Sequence, residues 1–283
     1  MSANYSDLKK NNGAPSFIKD GVTRASIFRG FCKDHDNKLF EPIDNSNLVP
    51  THQQAFLYAY RSMCREIFVK ENALSLFRSQ EEQYRDHIAF KGLFANTIEG
   101  TEVCLNSLYA NKKEYDKSLE ADDYNKTKYV VFRSSNEPFI AFSGVIYPEY
   151  DFIGNSLQNL ADSEQNYDLL TFCSAPMDDD LAVIFSWQDS SSNSCTKLMR
   201  SLATAVHSGH DMGDMIFRFV ISNCENMVFS PSWWESLPEE KTNKIIERVT
   251  DMACPHTKVQ AYYLTDGLSD ISKWSFENVY SNM

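Results

Sequence analysis

Apolar positions between residues 50 and 70 recur at intervals of three and four residues, which is the spacing of one face of an α-helix. Pro50 and Thr51 precede this pattern, and Thr51 together with Gln54 has the spacing of a capping box, a pair of side chains that closes the start of a helix. We therefore expect the first long helix to begin near Thr51. Its apolar face consists of Phe56, Leu57, Tyr60, Met63, Cys64, Ile67 and Phe68.

A less regular helical pattern extends from residue 71 to residue 124. The apolar residues between 71 and 110 are spaced irregularly enough to predict a break near Gly92 or Gly100. Residues 111–124 are rich in Lys, Glu and Asp and are compatible with a helix that exposes a charged face to solvent.

From Lys128 the pattern changes to β-branched and aromatic runs of strand length. The first two runs, KYVVFRSS and PFIAFSGVIYP, are separated by Asn136 and Glu137, which predicts a hairpin between them. Two further strands, YDLLTFCSA and LAVIFSW, flank the turn MDDD. Short connections of this kind favour an antiparallel sheet. Residues 155–162 are either a short helix or a crossing loop.

The C-terminal part of the chain returns to helical patterns. We expect helices over 195–206, 212–221 and 238–252, with a further helix start at Pro231 in the segment SPSWWESL, where Trp233 and Trp234 are large apolar anchors. The predicted fold class is α+β: a helical N-terminal half, then an antiparallel sheet with the C-terminal helices packed on it. The predicted divisions are a flexible tail (1–21), a CxxH turn with helices (22–126), and an α+β region (127–283) continuous with them.

Composition narrows the class of protein. Hydrophobic residues make up 42% of the 283 residues, as expected for a globular chain, and the polar start MSANYSDLKKNNGAPS does not resemble a signal peptide. With no apolar run of membrane-spanning length either, we expect a cytoplasmic protein with no membrane partner. Seven cysteines without a framework spacing fit reduced thiols, and Cys64, Cys104 and Cys173 fit core positions.

The net charge of −12 argues against a broad electrostatic grip on nucleic acid, because neutralising phosphates requires clustered Lys and Arg. A local basic patch remains compatible with this charge. An acidic chain favours basic partners or a divalent cation held by carboxylates.

One stretch, SIFRGFCKDHDNKLFEPID, carries a chemical signature. Cys32 and His35 stand in a turn-like, charged segment after Gly30, and a thiolate with an imidazole at this spacing forms half of a tetrahedral zinc site. Leu39, Phe40 and Ile43 follow at helical offsets that could anchor a short helix to the core. The alternative is that Cys32 is a small buried residue and His35 a surface one.

Three segments, GFCKDHDNKLFEPID, QQAFLYAYRSMCRE and FSPSWWESL, resemble an uncharacterised bacterial family. In longer members of that family an upstream CxxC pair and a histidine complete a treble-clef zinc site similar to that of HNH nucleases. Residues 1–31 contain no cysteine and no histidine, so this chain lacks the first ligand pair and the residue that would act as the nuclease base. The resemblance implies a zinc-related binding fold without an established activity.

A second constellation lies in AVHSGHDMGD. His207, His210 and Asp211 could bind a divalent ion or perform acid/base catalysis, because imidazole titrates near neutral pH and carboxylates bind hard cations. The alternative is ordinary helix termination, with Gly209 as the C-cap and Asp211 capping the next helix.

Cys254 and His256 in MACPHTK could complete the Cys32–His35 pair as a Cys₂His₂ zinc site, although Pro255 also explains this segment as a helix end. Asp178–Asp180 fit either metal ligands or a solvated turn. Glu149 and Asp151 are candidate nuclease carboxylates, but no lysine completes the pattern. The aromatic residues of the predicted strands could stack bases but more often fill a core.

The expected function is therefore a binding or interaction protein with a protein partner, related to a zinc-binding HNH-like family and placed in a bacterial defence or genome-maintenance assembly. The alternative is a metal-dependent nuclease or other hydrolase that uses His207, His210 and Asp211. An acidic inhibitor that mimics nucleic acid follows from the net charge alone.

Overall fold

The structure is a computed structural model that describes residues 1–4, 11, 14–21, 28, 30–86, 93–162, 166–253 and 259–283. Within these residues the longest helices lie in the N-terminal half, as the periodicity predicts. The helices are α1 (Lys33–Asp44), α2 (His52–Gln83), α3 (Leu93–Glu120), α4 (Ser192–His207), α5 (Met212–Asn223), α6 (Pro231–Ser236) and α7 (Glu239–Ala253).

The described strands are β1 (Ser2–Asn4), β2 (Ser16–Ile18), β3 (Thr127–Ser134), β4 (Ile140–Ile146), β5 (Leu170–Met177), β6 (Asp180–Gln188), β7 (Met227–Phe229) and β8 (Phe276–Ser281). They form one antiparallel sheet in the order β2-β1-β7-β4-β5-β6-β3-β8. Together with the helices, this sheet confirms the α+β class.

Helices cover both faces of the central strands. Alternate residues of a strand point to opposite faces, so β5 and β6, which are buried on both sides, are apolar almost throughout. On one face, Val131, Cys173 and Ile184 pack with Ala55 of α2. On the other face, Phe172 and Phe185 pack with α4, α5 and α7. The main core therefore lies between the sheet and the C-terminal helices.

The start of α2 follows the predicted capping pattern in part. The Gln54 backbone N–H donates to Thr51 Oγ1 at 3.2 Å, so Thr51 is the N-cap. The Gln54 side chain does not return to Thr51; it accepts from the Val49 N–H and donates to the Pro42 carbonyl. It thereby ties the end of α1 to the start of α2.

The predicted break in the helical region is confirmed: α2 ends at Gln83 and α3 begins at Leu93. Gly92 itself lies outside the described residues, and α3 continues through Gly100, because a helix-interior glycine weakens a helix without ending it. Ser2–Asn4 and Ser16–Ile18 form β1 and β2 at one edge of the sheet, where β1 pairs with β7. The prediction of a flexible tail over 1–21 therefore fails at these strands, which are too short to show a periodicity.

The predicted hairpin between β3 and β4 is also wrong, although both strands exist. β3 pairs with β6 and β8, and β4 pairs with β5 and β7. The connection is held by the C-terminal segment, since the Ser275 N–H donates to Asn136 Oδ1 at 2.8 Å. Residues 155–162 form a loop. The β5–β6 hairpin around the acidic turn is confirmed, with Met177 paired to Asp180.

The C-terminal helices agree with their predicted positions. Pro231 begins α6, Trp234 is buried and stacks on Phe17 at 4.4 Å, and Trp233 stacks on Phe139 at 4.3 Å. Across the described part of the chain, no helix combines the length and the apolar character that crossing a membrane requires.

Candidate functional site

The Cys32–His35 pair lies at the exposed start of α1. Cys32 is the N-cap residue but its side chain makes no capping hydrogen bond. Its Sγ atom instead lies 3.1 Å from His35 Nδ1, and both residues are exposed. Residues three apart in a first helical turn share a face, which explains the contact. Two good zinc donors therefore converge at a position open to solvent.

Helix α1 is held against α2 by its apolar face. Phe40 and Ile43 are buried and Leu39 is partly buried, as predicted. The Arg61 guanidinium lies 4.0 Å from the centroid of the Phe40 ring and makes two 2.7 Å hydrogen bonds to Asp44. This anchoring fixes the axis of the helix and therefore the position of Cys32 and His35.

The described residues supply two ligands to this site. No group of three or more His, Cys, Asp or Glu side chains suited to a metal occurs within them. Cys254 and His256, the predicted second pair, lie outside the described residues. The donor chemistry of Cys32 and His35 thus fits half of a zinc site, and the four-ligand set stays a prediction.

His207, His210 and Asp211 lie at the turn between α4 and α5. Gly209 has φ +97°, a conformation that favours glycine, and the Asp211 side chain accepts from the Asp214 N–H at 2.8 Å. Asp211 is therefore the N-cap of α5, as the helix-termination alternative predicts. Both histidines are exposed, and together with Asp211 they form no metal-binding group among the described residues.

The other candidate carboxylates have local partners. Asp178 and Asp180 pair with Arg133, at 3.2 and 2.7 Å, beside the β5–β6 turn. Asp151 is buried, and its Oδ1 accepts from the N–H groups of Ile153 and Asn155, so it shapes the loop after β4. Burial raises the pKa of Glu149, whose carboxyl group is partly exposed.

The strand aromatics fill the core, which was the favoured interpretation of their alternation. The buried rings are stacked or set edge to face against one another within the layer between the sheet and the C-terminal helices. They are therefore not accessible to stack on bases. The predicted members are Phe132, Phe139, Phe142 and Phe152, all buried, whereas Tyr147 is partly exposed.

A charged cluster that the sequence patterns do not predict lies between α2 and Glu225, which follows α5. Lys70 Nζ lies 3.5 Å from Glu66 Oε1. Burial raises the pKa of Glu66, and the negative charge of Glu225 raises that pKa further. Burial acts to lower the Lys70 pKa, but the carboxylates of Glu66 and Glu225 outweigh it and raise that pKa. Glu66 and Lys70 are four residues apart, a sequence signal for an ion pair, but nothing in sequence places Glu225 beside them.

Most of the described cysteines are poor nucleophiles at neutral pH. Burial raises the pKa of Cys64 to about 11 and that of Cys173 and Cys224 to about 12. Burial also raises the pKa of Cys104, against the opposing effect of Lys70. Because the thiolate is the reactive form, these thiols fit packing roles, as predicted for Cys64, Cys104 and Cys173.

A cleft of about 550 Å³ opens where β4 and β5 diverge, a second feature that the sequence patterns do not predict. Its walls include Ile140 and Ala141 of β4, Ala175 and Pro176 of β5, and Leu181 of β6. We call it the sheet cleft. The available sequence signal is Pro176, because proline inside a strand marks an edge or an interruption of the ladder.

Comparisons of this chain with protein-family models, with curated proteins and with solved structures found no match.

Proposed function

We propose that this protein acts by binding, as a relative of HNH-like zinc proteins in which Cys32 and His35 hold zinc. The observation that supports this is the 3.1 Å approach of Cys32 Sγ to His35 Nδ1 at an accessible helix end. A packing role would instead have predicted a buried sulfur. Thiolate and neutral imidazole are ligands that zinc prefers, and a tetrahedral site needs two more.

Cys254 and His256 are the proposed second pair, because they supply the same two ligand types. When bound, zinc would link the start of α1 to the segment after α7 and so stabilise the fold around the pair, as structural zinc sites do. The role of Cys32 and His35 is to present their donor atoms, and the anchored helix α1 limits how far those atoms can move.

The test is elemental analysis of the purified protein and of matched variants. We expect stoichiometric zinc in the natural chain, loss of zinc in Cys32→Ser and in His35→Gln, and retention in His210→Gln, which changes an exposed histidine outside the pair. Cys254→Ser should lose zinc as well if the second pair is assigned correctly. A natural chain without zinc, or zinc content unchanged in Cys32→Ser and His35→Gln, would refute the proposal.

The proposed partner is a protein, because the net charge of −12 opposes broad contact with phosphates. A nuclease assay separates this from the catalytic alternative. We expect no cleavage of DNA or RNA in the presence of zinc, magnesium or manganese. Metal-dependent cleavage that disappears in His210→Ala, at an unchanged melting temperature, would overturn the binding proposal and favour a hydrolase using His207, His210 and Asp211.

A further inference from the structure

The ladder between β4 and β5 stops short of the ends of both strands. Residue pairs run from Ile146–Leu170 to Ser143–Cys173, and no pair of this ladder includes residues 140–142 or 174–177. Over the same stretch, β4 pairs with β7 and β5 pairs with β6. The two strands therefore remain in the sheet but separate from each other, and the sheet cleft lies between them.

The direction of the main-chain groups in β4 follows from its bonds to β7. The Phe139 carbonyl accepts from the Ser230 N–H at 2.7 Å, and the Ser143 N–H donates to Asn226 at 3.1 Å. Main-chain groups alternate in direction along a strand, so those of Ile140 face β5. In a continuous ladder the Ile140 carbonyl would accept from the residue at position 176. That residue is proline, which has no N–H to donate.

Where β4 and β5 separate, main-chain groups that would pair in a continuous ladder have other partners. The Phe142 N–H donates to the Ser174 hydroxyl at 3.0 Å instead of to the Ser174 carbonyl. The Pro176 carbonyl accepts from the Leu48 N–H at 2.8 Å. The carbonyls of Ile140 and Ser174 therefore face the sheet cleft without a ladder donor from the opposite strand. Because main-chain carbonyls are strong acceptors, the cleft favours a ligand that brings N–H groups.

The walls and rim of the cleft define the rest of the ligand. Ala141 and Ala175 are small and leave space, while Phe139, Leu181 and Phe229 make the walls apolar. Carboxylates predominate at the rim. Asp20 lines the cleft, Glu137 precedes its wall residue Pro138, and the exposed Asp178 and Asp179 follow Pro176 closely in sequence.

The basic side chains described at this rim are paired. Lys19 contacts Glu235, and Arg133 contacts Asp178 and Asp180. The Met1 ammonium also lines the cleft and donates to the Phe229 carbonyl. The carboxylates of Asp20, Glu137 and residues 178–180 outnumber these three cations, so the rim is acidic overall and complements a positively charged ligand. Electrostatic complementarity of this kind selects partners and speeds their encounter.

We infer that the sheet cleft binds an extended, basic peptide segment of a partner protein by strand addition. The peptide N–H groups donate to the Ile140 and Ser174 carbonyls, an apolar side chain enters the space beside Ala141 and Ala175, and flanking Lys or Arg side chains meet the acidic rim. In strand addition, main-chain hydrogen bonds provide affinity and pockets for alternate side chains provide specificity. The inference is independent of zinc.

The probe is a short fluorescein-labelled peptide of alternating lysine and valine, titrated with the full chain and followed by fluorescence anisotropy. Two companion peptides separate the contributions: one has N-methylated amides, which cannot donate, and the other has glutamate in place of lysine. We expect saturable binding of the lysine–valine peptide and affinities at least tenfold weaker for both companions. Equal binding of the N-methylated peptide would reduce the interaction to charge alone and overturn strand addition.

Variants of the protein locate the binding. Ala141→Leu adds an isopropyl group to the cleft from an exposed position and should weaken binding at least tenfold, whereas the matched control Ala203→Leu, on the exposed face of α4, should not change it. Glu137→Gln combined with Asp179→Asn alters exposed rim residues and should weaken binding severalfold even if Ala141→Leu fails to fold. Unchanged affinity in the rim variant and in a folded Ala141→Leu would refute the assignment. Retention of peptide binding after zinc removal distinguishes this site from the zinc proposal.

Discussion

The two edges of β5 differ although they belong to one strand. Toward β6 the ladder contains seven residue pairs, from Thr171–Ser186 to Met177–Asp180; toward β4 it contains four. Successive main-chain groups point to opposite sides of a strand, so a residue without an N–H affects one edge only. Pro176 faces β4, and the β6 edge continues past it. A single proline can therefore open one side of a sheet and leave the other closed.

The largest expected loss of stability comes from a substitution on the closed side of β5, which faces β6. Phe185 of β6 is fully buried, with its ring centroid 5.2 Å from that of Phe219 and 6.4 Å from that of Phe172. Phe185→Ala leaves a cavity in this layer and should lower the free energy of unfolding by about 3–5 kcal/mol. Urea denaturation measures the change. The control Val279→Ala alters an exposed residue of β8 and should stay within about 0.5 kcal/mol of the natural chain.

The next effect tests the part of the β4–β5 pair that remains closed. A Cβ atom at Gly144 would lie 2.4 Å from Phe172 Cζ, and that ring is buried and surrounded by other rings. Gly144→Ala should therefore cost about 1–3 kcal/mol of stability by overpacking. Gly100→Ala is the matched control, because nothing lies within 4 Å of the added carbon in α3, and it should stabilise by about 0.5–1 kcal/mol. Equal effects in denaturation would contradict the difference in packing.

A smaller effect tests the point where the two strands separate. Ser174→Ala removes the hydroxyl that accepts from the Phe142 N–H, so we expect a loss of about 0.5–1.5 kcal/mol. Amide hydrogen exchange should be faster at Phe142 and unchanged at residues paired between β5 and β6. Ser174→Thr keeps a hydroxyl at this position and should restore the slow exchange. If Phe142 exchanges equally slowly in Ser174→Ala, the serine does not replace the ladder bond.

The substitution with the smallest expected change in stability tests why the two edges of β5 differ. Pro176→Ala supplies an N–H that faces the Ile140 carbonyl, so the ladder can extend by one bond. The loss of proline's restriction on the unfolded chain offsets this bond, and the net change should be below about 1 kcal/mol. The substituted residue should show a slowly exchanging amide, and the lysine–valine peptide should bind more weakly. An unprotected amide at position 176 together with unchanged peptide binding would show that Pro176 is not the cause of the open cleft.

The sequence predicted most elements because their patterns are local. The spacing of Phe56, Tyr60 and Cys64 indicates α2, and Pro231 marks the start of α6, before any tertiary contact is known. Cys32 and His35 were found in the same way, since residues three apart in a helical turn meet whatever the rest of the chain does. The helix-capping alternative for Asp211 follows from its position before α5.

Strand order, the charged cluster and the sheet cleft depended on the tertiary structure, because each joins residues distant in sequence. The residues of β3 and β4 predict that each is a strand, but not which strands they pair with. In the assembled sheet β3 pairs with β6 and β8, and β4 pairs with β5 and β7. Glu225, which follows α5, comes close enough to Lys70 of α2 to raise its pKa only in the folded chain. Pro176 is apparent in the sequence alone. Its missing N–H leaves the Ile140 carbonyl without a ladder donor only because Ile140 lies opposite it, and the assembled sheet decides that position.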